Sequence, residues 1–333
     1  MKATRCSWCR AAAGCDLSEA KRASALETSP GIFVTDSYEA MLARPDVHIV
    51  AIYTPDGLHA DQIEAAFRAG KHVLCTKPLV NDLSVAKRLL DAAARSGCRL
   101  QVGQSTRFYE PFQRQRELFE AGAFGEIEVI DAHYNHRMDW FYEKSPWSVN
   151  ATHWAYLGLS HPVDLVRWYL GSIREVHAYG AVSALGRTVG LTKPDAITVN
   201  LISTSGRLGR VLGHYGFHEL PKARSLIECF LMGSEGTSLA RYPDLRLTYH
   251  DARGVAIDED YDHAMAGYYY RHELKGMHYG EFCNLIDSFA VATVGDSPNS
   301  PNLREGLETV AVMDAIVRSL ESGRPETPLT IPE

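Results

Sequence analysis

The segments VHIVAIYTPDGLH at residues 47–59 and AGKHVLCTKPL at residues 69–79 decide the fold of this chain. Each segment carries a short apolar run rich in β-branched residues, and the residues between the two runs have the periodicity of an amphipathic helix. This alternation predicts a βαβ unit with a parallel sheet. Gly70 stands where a helix C-cap favours a left-handed residue, so we expect the intervening helix to end there.

The same alternation extends in both directions from this unit. We predict strands at residues 11–15, 32–34, 47–53, 72–75 and 99–103. We predict helices at residues 17–25, 37–42, 59–68 and 83–94. This order of elements amounts to most of a doubly wound dinucleotide-binding fold.

The opening strand and the G-x-G-x-x-G turn of that fold do not occur upstream of Asp16. In the strand order 3-2-1-4-5-6 the first strand is central, so its absence would leave the strand that ends at Asp16 without its inner neighbour. We therefore expect an incomplete Rossmann-like domain, arising from a wrongly chosen start or a shortened chain, unless residues 1–10 supply a substitute strand.

The pattern changes after about residue 122. Longer strands with alternating apolar and polar residues are predicted at residues 127–134, 197–202 and 210–215, and an amphipathic helix interrupts them at residues 162–170. Such strands are typical of an antiparallel sheet with one face on a core.

Two domains follow from this change and from the length of 333 residues. Residues 1–121 are the predicted α/β Rossmann-like domain, and residues 122–333 are a predicted α+β domain with an open, mostly antiparallel sheet. Helices predicted at residues 279–291 and 307–320 end the chain, and the last is free to pack back on the first domain. Because an open sheet needs a cover, we expect a homodimer or homotetramer.

Composition bears on the partners and the compartment. The net charge is −7 and no run of Lys and Arg offsets it, so we expect neither nucleic acid nor membrane partners. The N-terminus lacks the apolar core of a signal peptide, which predicts a cytoplasmic protein. The seven cysteines do not resemble a disulfide framework, and Cys6-x-x-Cys9 has no second ligand pair, so we expect reduced thiols and no metal.

The candidate chemistry begins at Lys77. Thr54-Pro55 and Thr76-Lys77-Pro78 both follow the carboxyl ends of predicted parallel strands, where open α/β sheets bind ligands. An ammonium group there can orient a substrate hydroxyl, stabilise an alkoxide or take part in proton transfer. The alternative is a solvated surface lysine.

This run resembles the pattern T-P-x-x-x-H followed by A-G-K-H-V-x-x-E-K-P-L of the Gfo/Idh/MocA family, named after glucose–fructose oxidoreductase and inositol dehydrogenase. The resemblance covers about residues 11–330 and includes Arg107-Phe108 and His161-Pro162-Val163-Asp164. It implies a Rossmann domain followed by an open-sheet α+β domain, nicotinamide bound at their interface, and sugars, inositols or related polyols as substrates.

The resemblance also assigns residues to the cofactor. Lys77 matches the essential lysine of the family, and Asp16 matches the acidic residue that binds the adenosine ribose. A carboxylate there repels a 2′-phosphate and favours NAD over NADP, although an Asp before a helix is also an ordinary N-cap. Further cofactor contacts are implied for Thr54, Pro55, His59, Thr76, Pro78 and Arg107.

Two positions depart from the family pattern. Thr76 replaces the glutamate before the lysine, which weakens an expected contact to the nicotinamide ribose. In the motif D-x-x-x-H-x-x-D the first aspartate is Leu157, while His161 and Asp164 match. His161 remains the predicted general base because imidazole titrates near neutral pH, and Asp164 either orients it or caps the helix.

An aromatic segment with His and Asn follows at residues 133–156, a mixture that suits sugar rings and their hydroxyls. We predict that Arg137, Trp140, His153 and Tyr156 lie near the substrate, with His153 or Tyr156 replacing the acid lost at Leu157. The alternative, core packing, is favoured for Trp154 and Trp168.

The predicted function is reversible hydride transfer between NAD and a secondary carbinol. One alternative is a redox-neutral lyase or glycosidase that uses NAD on the same scaffold. The other is a non-catalytic sugar-binding or regulatory protein that has lost dinucleotide binding.

Overall fold

A computed structural model describes residues 8–221, 225–242, 244–261, 278 and 280–333. The chain divides into two compact units. The first contains the described residues up to Gly103 together with Phe282–Leu307 and Pro332–Glu333, and the second contains Gln104–Glu281 and Glu308–Ile331.

Five short strands and four helices alternate in the first unit, as the sequence predicts. The strands are β1 (Ala13–Cys15), β2 (Phe33–Thr35), β3 (Ile49–Ile52), β4 (His72–Thr76) and β5 (Leu100–Gly103). The helices are α1 (Glu19–Thr28), α2 (Tyr38–Leu42), α3 (His59–Arg68) and α4 (Ala86–Ser96). Gly70 and Gly97 have φ values of 69° and 66°, so left-handed residues end α3 and α4.

The strands pair in two separate parallel groups, β1 with β2 and β3 with β4 and β5. Among the described residues no strand joins β1 to β3. In the Rossmann order one further strand lies between these two groups. All three residues of β1 are only half-buried, as expected for a strand that lacks an inner neighbour. The prediction of a Rossmann-like domain is confirmed, whereas most of the segment considered for a substitute strand, residues 1–10, lies outside the described residues.

The second unit is built on one eight-stranded sheet in the order β13-β12-β11-β10-β6-β9-β8-β7. Its strands are β6 (Ile127–His136), β7 (Ile173–Ala181), β8 (Ala196–Ser203), β9 (Leu208–His214), β10 (Ser225–Gly233), β11 (Thr237–Tyr242), β12 (Arg246–His250) and β13 (Ala256–Asp260). Every pairing is antiparallel except that of β6 with β9. The predicted mostly antiparallel sheet is confirmed.

Helices precede or connect several of these strands. They are α5 (Glu110–Glu120), α6 (Asp139–Lys144), α7 (Trp154–Leu157), α8 (Ser160–Leu170) and α9 (Ala184–Thr188). Helix α8 packs on β6 and β9, and α5 packs on β11 and β12. Burial alternates along β6, where Ile130, Ala132 and Tyr134 are buried while Asp131 and His133 are half-buried.

Two helices end the chain, α10 (Glu281–Val294) and α11 (Leu303–Ser322). Helix α11 stops at Gly323, which has a φ of 67°. The N-terminal segment of the first unit ends at Gly103, before the predicted boundary at residue 121, and α5 packs on strands of the second sheet. In the described part of the chain no helix is long and apolar enough to cross a membrane.

Candidate active site

Two turns that carry predicted cofactor residues lie at the same edge of the first unit. Strands β3 and β4 are parallel, and Ile52 pairs with Cys75. Thr54-Pro55 and Lys77-Pro78 therefore both follow carboxyl ends of neighbouring strands, as expected for ligand-binding turns of an open α/β sheet. The Thr54 hydroxyl donates to Oε1 of Gln62 at 2.6 Å.

Lys77 is the ionisable group of the second turn. It follows the half-buried Thr76, the last residue of β4, and precedes the buried Pro78. Desolvation by the surrounding protein lowers the pKa of Lys77 to about 8, although part of the residue's surface remains accessible. A lysine in this range exchanges a proton near neutral pH far more readily than an ordinary one.

Asp16 follows β1. Its Oδ1 accepts from the backbone N–H of Ser18 at 2.9 Å, and its Oδ2 lies 3.2 Å from the Lys21 ammonium. Partial burial raises the pKa of Asp16, but the Ser18 bond and Lys21 together hold that pKa below its usual value. The N-cap of α1 is Ser18. Asp16 is therefore an ionised carboxylate at the strand end and not the capping residue.

His161 is held by a threonine that the sequence did not single out. It lies in the first turn of α8, and its Nδ1 is 3.0 Å from Oγ1 of Thr106. Both residues are buried. Tyr134 packs edge-on against the imidazole, with ring centroids 5.5 Å apart. Thr106 and Tyr134 therefore restrict the orientation of the imidazole.

Asp164 contacts Arg107 in the second unit. Nε and Nη2 of Arg107 donate to the two carboxylate oxygens at 2.6 and 2.7 Å, and both side chains are buried. The Arg107 guanidinium also lies 4.9 Å from the ring centroid of Trp168. The N-cap of α8 is Leu159, which makes no side-chain cap. The alternative role of Asp164 as a helix cap is therefore wrong.

Arg137 and Trp140, two of the predicted substrate residues, form hydrogen bonds with residues close to them in the sequence. Nε of Arg137 donates to Oδ2 of Asp139 at 2.6 Å, and the indole Nε1 of Trp140 donates to the Arg137 carbonyl at 3.1 Å. The Trp140 and His136 rings lie 6.0 Å apart, and Nδ1 of His136 is 3.0 Å from the Tyr134 hydroxyl. Trp140 and His136 are therefore connected through Tyr134 to the His161 ring.

His153 has a structural role. It is the N-cap of α7, and its Nδ1 accepts from the backbone N–H of Ala155 at 2.9 Å. Burial, with a smaller contribution from Lys193, lowers the pKa of His153 to about 4. The ring is neutral near pH 7 and its Nδ1 is used by the helix cap, and replacement by His153 of the acid lost at Leu157 stays a prediction. Tyr156 is half-buried on the same short helix.

Tyr215 is a further residue that the sequence reasoning missed. It is completely buried, stacks on Trp154 with centroids 4.5 Å apart and contacts the Tyr134 ring edge-on at 5.7 Å. A Cβ atom at Gly158 would overlap the Tyr215 ring. The glycine after Leu157 is thus required for this packing, and no local sequence signal connects the two positions.

The buried hydroxyl of Tyr215, next to this aromatic cluster, has no hydrogen-bond partner among the described residues. The Tyr142 hydroxyl and Nε1 of Trp154 interact with each other but do not reach normal hydrogen-bond geometry. Buried polar groups without partners are rare and mark places where water or a polar ligand completes the bonding.

Two family models match the chain. Residues 11–104 match the model described as an oxidoreductase family with an NAD-binding Rossmann fold, and residues 112–237 match the GFO/IDH/MocA C-terminal domain. These ranges correspond to the parallel strands of the first unit and to most of the large sheet.

Known relatives include dehydrogenases. The chain is 32% identical to inositol 2-dehydrogenase of Streptomyces avermitilis over 49% of the chain and 46% of the relative. It is 25% identical to levoglucosan dehydrogenase of Pseudarthrobacter phenanthrenivorans over 86% and 81%. With several of these relatives, the match spans half or less of their length.

Solved structures share the fold. Levoglucosan dehydrogenase in complex with NADH and levoglucosan superposes with a TM-score of 0.78 at 22% identity, over 96% of this chain and 90% of that one. An oxidoreductase from Agrobacterium radiobacter in complex with NAD⁺, L-tartaric acid and magnesium gives 0.81 at 20% identity, over 95% and 90%. With both family models matched in order, the chain belongs to the Gfo/Idh/MocA family of oxidoreductases.

Proposed function

We propose that this protein transfers a hydride between NAD and a secondary carbinol of a sugar, an inositol or a related polyol. The observation that carries the proposal is Lys77, whose lowered pKa and position at the carboxyl edge of the parallel strands suit chemistry on a substrate oxygen. The names of the relatives, inositol 2-dehydrogenase and levoglucosan dehydrogenase, support the substrate class.

Among the described residues, Asp16 fits the adenosine ribose of NAD. The ionised Asp16 already accepts two bonds, yet a carboxylate has about four lone-pair sites, so it can also accept from ribose hydroxyls. The predicted contacts Thr54, Pro55, Thr76, Pro78 and Arg107 stay proposals. At His59, also predicted as a contact, both ring nitrogens lie against backbone carbonyls of the protein. NAD, when bound, supplies the hydride acceptor or donor at its nicotinamide ring.

The chain's own groups handle the proton. We assign His161 as the base that takes the hydroxyl proton, with the orientation of its imidazole restricted by Thr106 at Nδ1. Lys77 polarises the substrate oxygen. The unpartnered hydroxyl of Tyr215 suits a hydroxyl-rich ligand. Arg137, Trp140, His153 and Tyr156 remain candidates for contacts with the substrate.

The cofactor choice is tested at Asp16. Asp16→Ala should weaken NAD binding by about tenfold or more, the cost of losing a charged acceptor, and should reduce the preference for NAD over NADP. Calorimetry with both cofactors measures this, with Asp91→Ala on α4 as the control. Equal affinity of the wild type for NAD and NADP would contradict the role of Asp16, and binding of neither would favour the non-catalytic alternative.

A redox-neutral reaction is the second candidate. Leu157, a buried apolar residue, stands where an acid is expected. Because leucine cannot transfer a proton, the route of the proton can differ from that in a simple dehydrogenase. Turnover of a sugar with no net NADH, followed by absorbance, would favour this candidate. Stoichiometric NADH would support hydride transfer to free cofactor.

We also propose that the protein is a cytoplasmic homodimer or homotetramer associated through the open face of the large sheet. Phe230 and Leu208 keep 37% and 49% of their surface exposed on that face. Asp131 on β6 is in register with Phe230 on one side and with Arg210 on β9 on the other, and it forms an ion pair with Arg210. Leu208 lies two residues before Arg210 on β9. An apolar patch with paired charges is typical of a subunit interface.

Phe230→Asp should therefore shift the protein to the monomer in sedimentation velocity, because it buries a second carboxylate beside Asp131. Leu329→Asp, at another exposed leucine, is the control. An unchanged sedimentation coefficient for Phe230→Asp would exclude this face as the interface.

A further inference from the structure

Both ring nitrogens of His59 face backbone carbonyl groups. It begins α3 and keeps only 1% of its surface exposed. Its Nδ1 lies 3.0 Å from the carbonyl oxygen of Pro78 and 3.1 Å from that of Leu79. Its Nε2 lies 2.9 Å from the carbonyl oxygen of Thr54. One ring thus contacts both turns of the candidate cofactor edge.

The partners decide which protons the ring must carry. A carbonyl oxygen only accepts hydrogen bonds, whereas neutral imidazole has one donor nitrogen and one acceptor nitrogen. In the neutral form one nitrogen would place its lone pair against a carbonyl oxygen at about hydrogen-bond distance, which is repulsive. With protons on both nitrogens, all three carbonyls are satisfied.

We infer that His59 carries protons on both ring nitrogens and clamps the Thr54 turn to the Pro78-Leu79 turn, making it the positioning residue of Lys77. It is not a cofactor ligand. The link is short, because Lys77 is joined directly to Pro78, whose carbonyl accepts from the clamp. The inferred contacts of the His59 ring depend only on the measured distances. Their effect on turnover rests on the proposed function.

The nearby carboxylates have recorded partners other than His59. Among the described residues no carboxylate pairs with His59. Asp61 and Glu64 on the same helix pair with Arg88, and the Cys75 thiol donates to the Leu79 carbonyl at 4.0 Å. Asp56 precedes the helix, and its Oδ1 accepts from Gly57.

Two features oppose the charge. The helix begins at His59, where its dipole disfavours a cation, and the Lys77 ammonium belongs to the adjacent turn. The hydrogen bonds from the His59 ring to the three carbonyl oxygens must outweigh both of these unfavourable effects. All three bonds form only if both ring nitrogens donate. This makes the protonation state of the wild-type ring a direct test of the clamp.

The test is nitrogen-15 NMR of the histidine rings in the wild-type protein at pH 7.5, with the His59 signals identified by their loss in His59→Gln. We expect both ring nitrogens of His59 to be of the N–H type and slow to exchange. His72 is an internal reference, because its Nδ1 accepts from the Arg99 backbone at 3.0 Å and must lack a proton. A bare nitrogen on His59 would overturn the inference.

A second measurement separates positioning from binding. If the clamp orients Lys77, His59→Gln should lower kcat by about tenfold or more, as loss of catalytic alignment does, with a smaller change in the KM for NAD. A raised KM for NAD at unchanged kcat would instead make His59 a cofactor ligand and overturn the proposal. An inactive wild type would count against the proposed function, and the nitrogen spectrum would still decide the clamp.

Discussion

Replacing Lys77 with alanine should lower kcat by about 10²- to 10⁴-fold, the range for losing a group that moves or stabilises a proton in the transition state. The KM for the substrate should change much less, because the lost interaction acts mainly in the transition state. Steady-state kinetics with inositols and anhydrosugars measure both constants. Lys87→Ala, an exposed residue on α4, is the matched control and should leave both unchanged.

The pH profile adds a second readout for Lys77. Burial lowers the pKa of Lys77 to about 8, so wild-type turnover that depends on the ammonium should fall above that pH. Residual turnover of Lys77→Ala should lack this limb. Unchanged kcat in Lys77→Ala, or the same alkaline limb in the variant, would contradict the assignment.

Stability should respond with a defined sign. The folded-state pKa of Lys77 lies below the unfolded value of about 10.4, so the unfolded chain binds more protons between pH 8 and about 10. The free energy of unfolding of the wild type should therefore rise relative to that of Lys77→Ala across this window. Urea unfolding at several pH values checks the sign without requiring activity.

Replacing His161 with asparagine should also lower kcat by about 10²- to 10⁴-fold, because asparagine keeps a polar group of similar reach but cannot take a proton. The measurement is again kcat and KM over a pH series. His250→Asn, at an exposed position on β12, is the control. Retention of wild-type kcat would exclude His161 as the base.

Thr106 separates proton transfer from orientation at His161. Thr106→Val removes the oxygen that faces Nδ1 at 3.0 Å while keeping the shape of the side chain. Its loss of kcat should be smaller than that of His161→Asn, and Thr106→Ser should restore most of the activity. Equal activity of the valine and serine variants would mean that the hydrogen bond does not orient the imidazole.

Local sequence was enough to predict most of the elements and part of the site. Alternating apolar runs and helical periodicity identified the five parallel strands, and Gly70 and Gly97 marked helix ends because only glycine adopts a left-handed φ without strain. Period-two alternation identified the antiparallel sheet. Lys77 and His161 were found because their flanking residues resemble a family pattern and not because their surroundings were known.

The roles of partners within the site required the tertiary structure. Thr106 and His161 are 55 residues apart in sequence, and nothing local connects them. Likewise Asp164 pairs with Arg107 from a turn that precedes α5. Neighbouring sequence predicts which groups are present, whereas packing between distant elements determines the atoms that they face.

The sequence by itself determined the order and type of the elements, the absence of a glycine-rich turn before Asp16 and the presence of Lys77 and His161, since these depend on neighbouring residues. Only the tertiary structure showed that β6 and β9 are parallel, that Phe282–Leu307 belongs to the first unit and that the His59 ring faces three carbonyls. Those features depend on contacts between segments far apart in the chain, which burial of a shared core selects and which local periodicity does not encode.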